Sequence, residues 1–101
     1  MGATMDEIDK IQTQIAELIK ARDYLLNQIP SDMVAVTSVT EKIIDLARRL
    51  SALAGSGTPI RQLSAAEVAA LQRATQALGA AIRKSEAASR IIAAATKVAN
   101  A

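Results

Sequence analysis

Residues 71–99, LQRATQALGAAIRKSEAASRIIAAATKVA, decide how this chain is read. Ala74, Ala81, Ala88 and Ala95 recur every seven residues and interleave with Leu71, Leu78, Ser85, Ile92 and Ala99. The result is an unbroken seam of alternating three- and four-residue steps, the pattern of a helix packed along its length against another helix. Small seam residues let two backbones approach toward the low end of the roughly 8–10 Å interaxial range. The apolar face widens near the carboxyl end, where Ile91 and Val98 stand off the seam. Leu71, Ala74, Leu78, Ala81, Ala88, Ile91, Ile92, Ala95 and Val98 are therefore the candidate helix-packing residues. A flanking row, Ala80, Ala87 and Ala94, reads either as good helix formers or as a second packing face.

Outward from this stretch, three capping boxes mark helix starts, each a Ser or Thr followed three residues later by Glu: Thr4…Glu7, Ser38…Glu41 and Ser64…Glu67. Leu63 and Val68 add a hydrophobic staple to the third. Ile29-Pro30-Ser31-Asp32 stops the first helix, because Pro disfavours helix before it and lacks the donor. Ala54-Gly55-Ser56-Gly57-Thr58-Pro59 stops the second. Ser31 or Asp32 offers an earlier cap for helix two, but Val34, Val36, Thr37, Val39 and Thr40 are β-branched, which favours an extended link before Ser38. The expected helices are 4–29, 38–54 and 64–100, with linkers 30–37 and 55–63, in one helical domain covering 1–101.

Seams run along the other two helices as well: Ile8, Ile11, Ile15, Leu18, Arg22, Leu25 and Ile29 in the first, and Val39, Ile43, Leu46, Leu50 and Leu53 in the second. The expected fold is all-α, an antiparallel, coiled-coil-like three-helix bundle with a long Ala-rich third helix. A helix from Ser64 to Asn100 spans about 54 Å, against about 37 Å for Met5 to Ile29 at 1.5 Å per residue. A homodimer or a partner helix is expected to cover the overhang.

The chain has 101 residues, half of them hydrophobic, including 22 Ala, and a formal net charge of +2. It contains no Cys, no His, no Trp and no Phe, and a single Tyr, Tyr24. The missing His and Cys remove His-dependent triads, thiolate chemistry and most transition-metal sites. With Tyr24 as the single aromatic residue, almost nothing is left on which a nucleobase stacks. No catalytic, metal or cofactor-binding residue is therefore expected, and no cofactor. The acidic amino terminus, Asp6-Glu7, does not read as a signal peptide, and no apolar run is long enough for a transmembrane segment. Cytoplasmic placement is the default expectation, and the Ala- and Arg-rich, Cys-free composition points to a bacterial source. The chain is near the size of small secreted helical hairpins with a Trp-x-Gly turn, but it contains no Trp and does not resemble them.

Arg83, Arg90 and Lys97 repeat every seven residues opposite the Ala seam and form a basic stripe, with Glu86 inside it. A stripe of this kind suits either solvent or a polyanion, that is, nucleic acid or an anionic membrane surface. The low net charge and the missing aromatics argue against nucleic acid. Arg22, on the first seam, reads either as a side chain snorkelling to the bundle edge or as a polar layer with Ser85 that fixes register. Asp6, Glu7 and Asp9 suit the positive end of a helix dipole. Gly55-Ser56-Gly57-Thr58-Pro59 lacks the Lys of a phosphate loop and is a turn. Gly79 sits inside helix three at a cost of about 1 kcal/mol relative to Ala. The expected function is a non-enzymatic helical association module, a structural or adaptor subunit of a bacterial assembly. Polyanion binding through the basic stripe is the alternative.

Overall fold

The first helix starts where a side chain can cap it. In the computed structural model, which describes residues 5–101, Asp6 accepts from the Asp9 amide at 2.8 Å while the Asp9 carboxylate accepts from the Asp6 amide at 3.3 Å. This reciprocal box opens α1 (Glu7–Leu26). Thr4, the expected cap, lies outside the described residues. At the other end, the Ser31 hydroxyl donates to the carbonyls of Leu26 and Gln28, taking up acceptors that the ended helix leaves free.

Helix α2 (Met33–Gly55) starts five residues before the expected Ser38, capped by Asp32, whose carboxylate accepts from the Ala35 amide at 3.0 Å. The β-branched run is thus helical and not an extended link. Ala35, Val36 and Val39 are buried, and burial of that apolar face outweighs a few tenths of a kcal/mol per residue of propensity. Ser38 lies inside the helix, where its hydroxyl accepts from Lys42.

Ser64 and Glu67 form the expected box: the Ser64 hydroxyl accepts from the Glu67 amide at 3.2 Å, and the Glu67 carboxylate from the Ser64 amide at 3.1 Å. They open α3 (Ala65–Arg83). The expected single rod over 64–100 does not form, because α3 stops at Arg83 and a fourth helix, α4, runs from Ala88 to Ala99. The stop is a Schellman turn. The Glu86 amide donates to the Ala81 carbonyl and the Ser85 amide to that of Ile82, both at 3.0 Å, with Ser85 left-handed at φ 54°. Ser85 is exposed in this turn and forms no layer with Arg22.

Contacts at both ends of α4 fix its direction. The Gln14 side-chain amide in α1 donates to the carbonyls of Val98 at 2.8 Å and Ala99 at 3.2 Å, and the Tyr24 hydroxyl donates to the Glu86 carbonyl at 3.1 Å. α4 therefore runs antiparallel to α1 and folds back along α3. Near the start of α3, the Glu7 amide donates to the Arg61 carbonyl and the Leu63 amide to that of Met5, so α1 and α3 begin side by side. α1 and α4 form the central pair, and α2 and α3 lie against it without approaching each other. The expected three-helix bundle is thus a four-helix fold, with Cα extents of 45 × 29 × 16 Å.

One connected core joins Ile11, Leu18 and Leu25 of α1 to residues of the other three helices, among them Val39, Leu78 and Ile91. On α1 the buried positions are Ile11, Gln14, Leu18, Ala21 and Leu25. Ile15 and Arg22, placed on the seam by heptad spacing, lie at its edge. None of the described helices is long and apolar enough to cross a membrane.

Candidate functional site

The break at 84–87 changes what the Ala seam does. Leu71, Leu78, Ile91, Ala95 and Val98 are buried within the chain's own core, and Ala74, Ala81, Ala88 and Ile92 pack half-buried against it. With α4 folded back, no overhang remains for a partner to cover, and the seam packs within one chain. Ile91 and Val98, off the seam in a straight helix, form with Ala95 the buried face of α4.

The large apolar side chains left in water lie elsewhere. Among the described residues they are Leu26, Ile29, Met33, Val34 and Ile44, with Val34 81% and Ile29 98% exposed. All five belong to the end of α1, the turn after it, or α2. Asp32 caps α2 and Ala35, Val36 and Val39 turn toward α1, so Val34 must face outward. Val34 and Met33 border a shallow surface hollow with Thr37, Ser38 and Glu41. Ile44 follows Glu41 by three residues on the same side of α2, beside Asp45. The outward edge is thus apolar at the turn and carries both signs of charge along its length: Asp32, Glu41 and Asp45, together with Lys42, which donates to Ser38, Arg48, 3.9 Å from Asp45, and Arg49, which borders a hollow with Asp45.

The basic stripe does not survive the break as one surface. Arg83 borders a hollow between α1 and α3 with Glu17, Lys20 and Gly79, and a Cβ at Gly79 would meet the Arg83 guanidinium at 3.3 Å. Arg90 and Lys97 border a separate hollow between α3 and α4, lined by Ala77, Ala81, Ala93 and Ala94. A further hollow shares Ala77 and Lys97 with it and extends past Ala74 to Ala70 and Arg73. Arg90 pairs with Glu86 at 3.7 Å. Together these two hollows form a methyl-lined groove with a basic rim.

Two polar features within the fold are structural. Gln14 is fully buried, and its amide nitrogen satisfies carbonyls at the end of α4 while its oxygen has no partner. It pins the register of α1 on α4, a role the heptad reading did not give it. Arg22 reaches the surface, where its guanidinium lies 3.4 Å from the Asp23 carboxylate, as the snorkelling alternative required. The sharpest electrostatic feature is the bidentate pair of Arg61 with Glu67, both contacts 2.9 Å, with Glu7 at 3.9 Å. The Arg61 guanidinium and the Ser64 amide hold the Glu67 carboxyl at about 2, below its ordinary 4.5, and the same contact raises Arg61. This pair locks the 60–63 segment to the starts of α1 and α3.

The site residues missed by heptad reading are thus Leu26, Met33, Val34 and Ile44, whose signal was their position off every seam. No protein-family model matches the chain, and no curated protein or solved structure matches it either.

Proposed function

We propose that the protein is a non-enzymatic helical association module, a structural or adaptor subunit of a bacterial assembly, and that it associates through the outward apolar edge running from Leu26 to Ile44. The carrying observation is the segregation of exposed bulk. Large aliphatic side chains are left in water along this edge, whereas those of α3 and α4 are covered. Clustered exposed apolar surface marks an interaction site, while scattered single residues do not. The residue inventory, without His or Cys, supports a role in binding over catalysis. The polyanion alternative finds less support, because Arg83 sits apart from Arg90 and Lys97.

The reading is tested by light scattering across a concentration series on the full chain and on a variant carrying Ile29→Ser, Met33→Ser and Val34→Ser. Association by the wild type, lost in a variant that keeps its helical circular dichroism, is the expected result. An assembly that the triple substitution leaves intact would overturn the assignment of the edge.

A further inference from the structure

We infer that the α1 face beneath α4 is an interaction surface for the α4 of a second copy of this chain, exchanged when residues 84–87 straighten and α3 runs into α4 as one helix. The closed chain displays both the surface and its occupant. Ile91, Ala95 and Val98 are fully buried, and the Gln14 side chain donates to the Val98 and Ala99 carbonyls at 2.8 and 3.2 Å. A second copy presents the same atoms, so these contacts re-form between chains, and only the turn differs between the closed and exchanged forms. The α2 edge takes no part in this exchange.

The turn is where the closed form is weak. Ser85 is left-handed at φ 54°, a conformation costly for a residue with a Cβ. Ala87 gives α4 no side-chain cap. Lys84-Ser85-Glu86-Ala87 contains neither Gly nor Pro, and Lys, Glu and Ala are among the better helix formers. Straightening removes the left-handed residue and supplies the first amides of α4 with carbonyls from the preceding turn. The heptad seam passes through the turn without a shift, from Ala81 through Ser85 to Ala88. Short connections under strain invite exchange of an element between copies.

Straightening also leaves one way to cover α4. In a straight helix, at about 100° per residue, the Leu71–Leu78 face and the Ile91–Val98 face point about 140° apart. With Leu71 and Leu78 buried against their own chain, Ile91 and Val98 would face away from it, and a lone open chain would hold them in water. The α1 of a second chain covers them on the opposite side of the rod, while the α4 of that chain fills the place vacated in the first. Reciprocal exchange closes at two copies.

α4 must leave the core before it exchanges, so natively folded monomer keeps its own α4 through a concentration series, and the exchanged dimer is collected by refolding from urea at high protein concentration. It is expected to survive dilution, whereas association through the α2 edge reverses, so the two readings fail separately. The chain has no Cys, and Arg73→Cys with Lys97→Cys places two spin labels at exposed positions that border one hollow in the closed form. Refolded with excess unlabelled chain, the labels report distances within one chain only. Pulsed electron spin resonance on the dilution-stable dimer is expected to place them about 36 Å apart along one helix, at 1.5 Å per residue, against a short distance in the monomer. Ser85→Gly, which relieves the closed turn and weakens a helix across it, is expected to lose most of the dimer at the same refolding concentration. A dimer whose labels stay close together overturns the inference. So does recovery of monomer alone at every refolding concentration, or a dimer yield that Ser85→Gly leaves unchanged.

Discussion

The α1–α2 and α3–α4 hairpins share a heptad rhythm and differ in where their bulk faces. In the first, Ile and Leu dominate the seams, and five large apolar side chains remain in water around the turn and along α2. In the second, Ala fills much of the seam, and Leu71, Leu78, Ile91 and Val98 are all buried. Their turns differ in parallel. Pro30 and the apolar Ile29 stand exposed at one, whereas the other is a Schellman turn bound to α1 by the Tyr24 hydroxyl. The seam alanines of the carboxyl half, Ala74, Ala81, Ala88 and Ala95, thus serve internal closure, and five large side chains of the amino half, beyond those its core takes up, are left to face outward.

The largest effect that would break this comparison is the loss of α4 from the core. Ile91→Ala is expected to cost about 2–5 kcal/mol in urea unfolding, as for a fully buried aliphatic side chain. A cost within about 0.5 kcal/mol, the surface range, would put α4 outside the core and make the two halves alike.

A smaller effect sharpens the contrast in capping. Asp6, Asp32 and Ser64 cap their helices through side chains, whereas Ala87 offers α4 none. Ala87→Asp is expected to stabilise by about 1 kcal/mol, supplying the missing acceptor at the positive end of the helix. Thermal unfolding reads the sign, and a lowered midpoint would mean that no helix begins there.

How much of this was legible depends on the range of the forces involved. Ser64…Glu67 was readable because both partners of the box lie within one helical turn. The early start of α2 was not, since Asp32 and the β-branched run are favourable only once Val36 and Val39 are covered by α1. The break after Arg83 has neither Gly nor Pro to announce it. Its traces were the polar run Lys84-Ser85-Glu86 and the shift of the apolar face to Ile91 and Val98, which a straight helix would strand. Gln14 has no local signal in the sequence, because its partners, the Val98 and Ala99 carbonyls, lie 84 and 85 residues away. The outward edge was hidden for a related reason: the rotation of α2 that leaves Val34 and Ile44 in water is set by its packing on α1 and α4.

The smallest effect concerns the ends of the two halves that meet near Arg61. Because the folded Glu67 carboxyl sits at about 2, below its ordinary 4.5, its contribution is present above about pH 4.5 and is lost as pH falls toward 2. Glu67→Gln keeps a side chain able to complete the capping box and removes the ion pair with Arg61. Its stability is expected to fall less steeply than that of the wild type across this window. Identical acid limbs in pH-dependent unfolding would show that the pair contributes nothing there.

The reversal of the chain at Ser85 is the claim on which the two-hairpin account rests, and the unfolding free energy of Ser85→Gly tests it most directly. With Ser85 left-handed at φ 54°, Gly relieves a strained position and is expected to raise stability by about 1 kcal/mol. A fall of similar size, the cost of Gly in a helix interior, would mean that residues 65–99 form one uninterrupted helix and would contradict the fold described.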